Sequence, residues 1–177
     1  MCMRGIGLVL TATLWFQSSF AQEVPGVWGG WTSSDGKYLY AGVDNESHSR
    51  LVKSCEKATG KCWWFFGAQL SCDDGHQQVM LASSRIGSAS FKLTCAGKAD
   101  KNASGTQPYL LAVEEDPNFE RMVIAGGVLG LVVATEAGEF NVSRFNCDGA
   151  SSSVKALSAA LGSTPLSKPA SLGDSRL

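Results

Sequence analysis

The chain reads as an all-β protein, an antiparallel sandwich or partly open barrel with one short C-terminal helix. Three observations carry this expectation. Short segments rich in β-branched and aromatic residues recur along the chain, separated by Gly, Asn, Asp and Ser turns. Residues 90–96 alternate strictly, with Phe91, Leu93 and Cys95 on one side and Lys92 and Thr94 on the other, as a half-buried strand requires. Only after residue 149 does the apolar period lengthen clearly to that of a helix.

The elements follow in order. Residues 27–32 place Trp28 and Trp31 around Gly29-Gly30, and Ser33-Ser34-Asp35-Gly36 turns the chain into a strand over 37–43, a hairpin. After the loop Asp44-Asn45-Glu46-Ser47, strands over 50–55 and 62–69 are joined at Thr59-Gly60. Cys72-Asp73-Asp74-Gly75-His76 is a turn before a strand over 79–83. Beyond 90–96, residues 97–107 are a polar loop, and strands are expected over 109–113, 121–125, 129–135 and 139–145. Residues 119–124 also fit a helical turn. Gly126-Gly127 and Ala137-Gly138 supply the last turns. Ala150, Val154, Leu157 and Leu161 share one helical face, with Asp148 or Ser151 available to cap its start and Gly162 to end it. Residues 163–177, with Pro165, Pro169 and several serines, are expected to be a disordered tail.

The first residues carry a different signal. Met1-Cys2-Met3-Arg4 is short and basic, residues 6–16 are mostly apolar, and Ser19-Phe20-Ala21 sets small residues where a signal peptidase reads. This is the pattern of a secretory signal peptide cut after Ala21, so 22–162 is expected to be one β-rich domain in the periplasm or outside the cell. The apolar stretch is too short for a hydrocarbon core of about 30 Å, as is the run 122–134, so no transmembrane segment is expected in the mature chain. Cys2 is no lipoprotein signal, because no apolar segment precedes it. The formal charge of the full chain is −1, with neither basic patch nor acidic block, which argues against a nucleic-acid partner.

Removing the leader leaves Cys55, Cys62, Cys72, Cys95 and Cys147, an odd number. Cys55–Cys62, closing a tight turn, and Cys72–Cys95, closing a longer loop, are the favoured disulfides among several connectivities. The longer loop should contribute more, about 3 kcal/mol against roughly 2.5 kcal/mol. Zinc is the rival use of these thiols, but close CxxC spacing and adjacent histidines are missing, so no metal site is assigned. Cys147 is left over. Its parity with Phe145 points it inward as a buried free thiol; the alternative is a disulfide-linked dimer, and the oligomeric state stays open.

Catalytic constellations are weak. His48 and His76 are the only histidines and sit in polar turns; residues 85–90 lack the second glycine of a nucleophile elbow. Asp73-Asp74 and Glu114-Glu115-Asp116 are carboxylate pairs of the kind hydrolases use, but they read as solvated turns. No cofactor is implied. The aromatics are more informative. In an alternating strand Trp63 and Phe65 face one way and Trp64 and Phe66 the other, so one pair is core and the other is available to a partner unless a second layer covers it. Trp63, Trp64, Phe66, Tyr38 and Tyr40 are therefore the candidate binding residues. Asn45-Glu46-Ser47, Asn102-Ala103-Ser104 and Asn141-Val142-Ser143 match the N-glycosylation acceptor, which matters only in a eukaryotic host.

The leader, the early tryptophans, the Cys55/Cys62 pair, Leu129-Gly130-Leu131-Val132-Val133, Phe140-Asn141-Val142-Ser143-Arg144-Phe145 and the small-residue helix after Gly149-Ala150 together resemble bacterial invasion-associated locus B proteins. The resemblance implies a β-rich protein exported to the cell envelope and linked to host-cell invasion. It carries over no catalytic residue, and Cys147 has no evident partner in it. The leading expectation is a non-enzymatic exported protein that binds a protein or envelope component. A secreted hydrolase using Asp73, Asp74 or His76 is the alternative class, and an inhibitor presenting the cysteine-closed turn 56–61 is a third.

Overall fold

The computed structural model describes residues 26–33, 35–99, 107–135 and 138–162. The expected leader and tail, and residues 100–106 of the polar loop, lie outside the described residues. The elements run β1 (Gly29–Thr32), β2 (Tyr38–Asp44), β3 (Arg50–Glu56), β4 (Cys62–Ala68), β5 (Gln77–Ser84), β6 (Gly87–Lys98), β7 (Tyr109–Val113), α1 (Pro117–Ile124), β8 (Val128–Ala134), β9 (Phe140–Asn146) and α2 (Ala150–Gly162). All nine strands form one antiparallel sheet in the order β1-β2-β3-β4-β7-β6-β5-β8-β9.

That sheet curls until its ends meet. Trp28 Nε1, just before β1, donates to Asn146 O of β9 at 2.9 Å. Asn45 Nδ2, just after β2, donates to Arg144 O at 3.2 Å, and the hydroxyls of Ser143 and Ser49 lie 3.1 Å apart. No ladder joins β1 to β9, so the result is a partly open barrel with a seam of side chains. Across the interior, the rings of Phe66 (β4) and Phe145 (β9) meet edge to face at 6.1 Å.

The helices cover the inner face. Residues 121–124, expected within a strand over 121–125 or alternatively within a helical turn over 119–124, belong to α1 with Ala125 as its C-cap, so the described residues hold a second helix besides the C-terminal one. Asp116 caps α1 by accepting from Asn118 N at 2.7 Å, and Pro117 pre-sets its first turn. The capped turn places Phe119, Met122 and Val123 on one buried stripe. Phe119 meets Trp64 at 5.8 Å and Phe91 at 5.1 Å, both edge to face. Lys53 of β3 holds the helix from below, its Nζ 2.6 Å from Glu120 Oε2. Helix α2 sends Ala150 and Val154 into the main core, while Leu157 packs with Ala41 and Cys55 in a smaller cluster that Leu39, Cys62 and Leu161 extend. Asp148 has another task than capping α2: its Oδ1 accepts from Gly127 N at 2.8 Å and ties the β8 turn to the end of β9.

Both disulfides join inward-facing cysteines of neighbouring segments, Cys55–Cys62 within the β3–β4 hairpin and Cys72–Cys95 between the segment before β5 and β6. Cys147 is free and buried.

Candidate functional site

The outer face of β1 to β4 is aromatic because parity and register agree across four strands. Trp31 pairs with Tyr40, Tyr40 with Ser54, and Ser54 with Trp63, so all four side chains stand on one face. Tyr38 and Phe65 share that face. Trp31 and Tyr40 stack at 5.5 Å, Tyr38 and Tyr40 at 6.4 Å, and the Arg50 guanidinium caps the Trp31 ring at 5.3 Å. Arg50 is itself held by Asp44, with two contacts of 2.6 Å. The ladder Asp44–Arg50–Trp31–Tyr40–Tyr38 is thus pre-ordered, since each ring is fixed by its neighbour. Gly42 makes it possible: a Cβ there would lie 3.0 Å from Trp31 Cη2 and 2.7 Å from Leu51 O.

Of the five nominated aromatics, the structure places Tyr38, Tyr40 and Trp63 on this outer face, with Trp63 39 % exposed. Trp64 and Phe66 are corrected to core residues, 7 % and 0 % exposed. Trp64 meets Trp28 at 6.3 Å and Phe119 on its other side, and its indole N–H reaches Glu120 Oε2 at 3.4 Å. They face inward because Cys62, two residues before Trp64, turns in to meet Cys55. Trp31 and Phe65, which were not nominated, take their places on the outer face.

A second apolar area lies on the outer face of β5, β8 and β9. Leu81, Val132 and Val142 form one cross-strand row, and Phe140 pairs with Ala134 beside it. Phe140 is 69 % exposed. Sequence reading missed this area because its residues come from three strands, and only the register of β5, β8 and β9 brings Leu81, Val132, Val142 and Phe140 together.

Asp73, Asp74 and His76 occupy an exposed turn in which His76 N donates to Asp73 O and Cys95 N donates to His76 O. Glu114, Glu115 and Asp116 rim a shallow hollow of about 480 Å³ beside Phe91 and Lys92, away from that turn. One of its carboxylates, Asp116, is already engaged as the α1 cap, and Glu114 lies 3.9 Å from Lys92 Nζ. Among the described residues, no three His, Cys, Asp or Glu side chains gather to hold a metal ion. The turn 56–61 is tied down from within, by Glu56 N donating to Lys61 O and Thr59 Oγ1 to Glu56 Oε2. The acceptor-like Asn45 is a buried joint: its Oδ1 accepts from Ser47 N and Ser49 N, and its amide bridges the seam. Asn102 lies outside the described residues. Burial pushes the Cys147 thiol up to about 12, with the neighbouring Asp148 charge acting in the same direction.

No protein-family model matches this chain, and no curated protein matches it by sequence. Its fold is similar to that of the crystal structure of invasion associated protein B from Bartonella henselae, with a TM-score of 0.52 over 79 % of this chain and 97 % of that one, at 13 % identity. The family resemblance drawn from the sequence therefore holds at the level of the fold.

Proposed function

We propose that this chain is an exported, non-enzymatic protein that binds a protein or envelope component through the outer aromatic face of β1 to β4. The observation that carries the reading is the stacked ladder of Trp31, Tyr40 and Tyr38, half-buried, with the exposed Trp63 across the same face. Rigid aromatics lose little conformational freedom on binding and bring large contact area. Two disulfides favour an oxidising compartment, and among the described residues no helix is long and apolar enough to cross a membrane. The fold shared with an invasion associated protein makes a host-facing partner the first to try.

The test is saturable binding of the purified mature chain to cultured host cells and to isolated bacterial envelopes, compared with Trp63→Ala/Tyr38→Ala. Loss of binding with an unchanged melting temperature is expected; equal binding by the variant overturns the reading. Replacing Asp73, Asp74 and His76 together by alanine should leave binding intact. A hydrolytic turnover abolished by that triple change, in a folded protein, would favour the enzyme class instead.

A further inference from the structure

We infer that the free edge of β1 is a docking site for an extended, uncharged peptide segment of a partner, which adds to the sheet as a tenth strand beside α2. This names the partner chemistry for the binding function above and rests on that reading.

Among the described residues, strand β1 ends the sheet and pairs only with β2. Ser33 N donates to Tyr38 O at 3.0 Å, continuing the ladder Gly29↔Gly42, Trp31↔Tyr40. Antiparallel alternation then turns the N–H and C=O of Gly30 and Thr32 away from β2, toward the open edge. Both residues are exposed. Strand β1 is short, four residues, but it carries none of the charges, prolines or bulges that also blunt such edges.

The edge also opens into a groove rather than into bulk solvent. Gly30, Thr32 and Leu39 form one wall and Ser153, Ala156 and Leu157 of α2 the other, enclosing about 250 Å³. The volume suits a few small side chains, and among the described residues none that lines it is charged. A strand laid on the edge would turn alternate side chains into this groove and the others toward Trp31 on the outer face. Charge matching therefore selects an uncharged segment with small or β-branched residues at the inward positions.

The probe is a phage-displayed library of ten-residue peptides selected on the full-length mature protein, followed by the enriched peptide in synthetic form. Thr32→Pro removes one outward N–H while leaving the β1–β2 ladder bonds at Trp31 and Ser33 in place. Ala156→Lys puts a charge in the groove on a helix-favouring residue. Uncharged peptides should enrich, shift the amide resonances of Gly30 and Thr32, and bind each variant about tenfold more weakly or worse. If Thr32→Pro unfolds, Ala156→Lys carries the test alone. No enrichment, or an enriched peptide indifferent to both variants, overturns the inference. So does a dimer that dissociates on Thr32→Pro without any peptide binding, which would make the occupant a second copy. Trp63→Ala separates the two claims. Peptide binding lost there but kept in Thr32→Pro leaves the aromatic face standing and removes the edge. The reverse pattern with intact cell binding by Trp63→Ala/Tyr38→Ala does the opposite.

Discussion

Replacing Gly42 by alanine tests the packing logic of the outer face. The added Cβ would sit 2.7 Å from Leu51 O, 3.0 Å from Trp31 Cη2 and 3.1 Å from Val52 Cα. Two of these neighbours are backbone in the adjacent strand and cannot swing aside. Alanine recovers about 0.5–1 kcal/mol of the chain entropy that glycine loses in a strand. Overpacking of this kind costs typically 1–3 kcal/mol. The net expectation is a loss of about 1–2 kcal/mol, or a fall in melting temperature of roughly 3–8 °C. The control is the residue directly across the ladder. Gly29 pairs with Gly42, yet a Cβ there meets nothing within 4 Å. Thermal melts followed by circular dichroism, with tryptophan emission reporting the Trp31 ring, should show Gly42→Ala destabilised and Gly29→Ala unchanged or slightly stabilised. If both variants melt together with the parent, the close approach of Trp31 to β2 is not what holds the ladder, and the pre-ordered face falls with it.

Asn45→Ala removes acceptors for Ser47 N and Ser49 N and the bridge to Arg144 O; urea denaturation should show a loss of about 2–3 kcal/mol. Glu120→Leu strands the mostly buried Lys53 ammonium and should cost roughly 1–3 kcal/mol, whereas adding Lys53→Met should restore most of it, a sign reversal that a double-mutant cycle reads directly. Cys147 should resist thiol reagents at pH 8 until denaturant is added. Because its folded pKa, about 12, lies above the ordinary 9.0, its contribution is intact below pH 9 and is lost as pH rises from 9 toward 12, a loss that Cys147→Ala should abolish in pH-dependent melts. Removing the bridge Cys72–Cys95, across 23 residues, should lower stability more than removing Cys55–Cys62, across 7, by calorimetry of the paired alanine variants.

Much of the sheet was legible because its two faces differ. Phe91, Leu93 and Cys95 alternate with Lys92 and Thr94, and that parity holds along β6 as far as Cys95, beyond which a register shift before Lys98 breaks it. The span 121–125 stands between strand and helical turn because five residues of mixed apolar character fit either period; the signal that decides for the helix is upstream, in Asp116-Pro117, where a cap and a fixed φ start it. The run Trp63-Trp64-Phe65-Phe66 is apolar on both sides, so hydropathy alone could not choose the inner pair. The choice was available through Cys62, whose bridge to Cys55 fixes the inward parity. The groove beside β1 was not legible at all, because Thr32 and Ala156 become neighbours only when α2 folds back across β2.

The seam has a consequence for when this protein becomes itself. Its three joints link residues 94, 99 and 118 positions apart, while most strand pairs form between hairpin neighbours. Drawing ends so distant together carries the largest loop-closure cost in the fold, and only side chains reward it. For a chain that crosses a membrane N-terminus first, Trp28 would reach the far side long before Asn146 exists there to receive its N–H. The early strands would have to persist as an open ribbon, inner aromatics uncovered, until the final strand and helix arrive. Closure would then be a single late event. A lesion in β9 should accordingly show itself less as a weakened protein than as one trapped before completion, with its interior still accessible to chaperones and proteases.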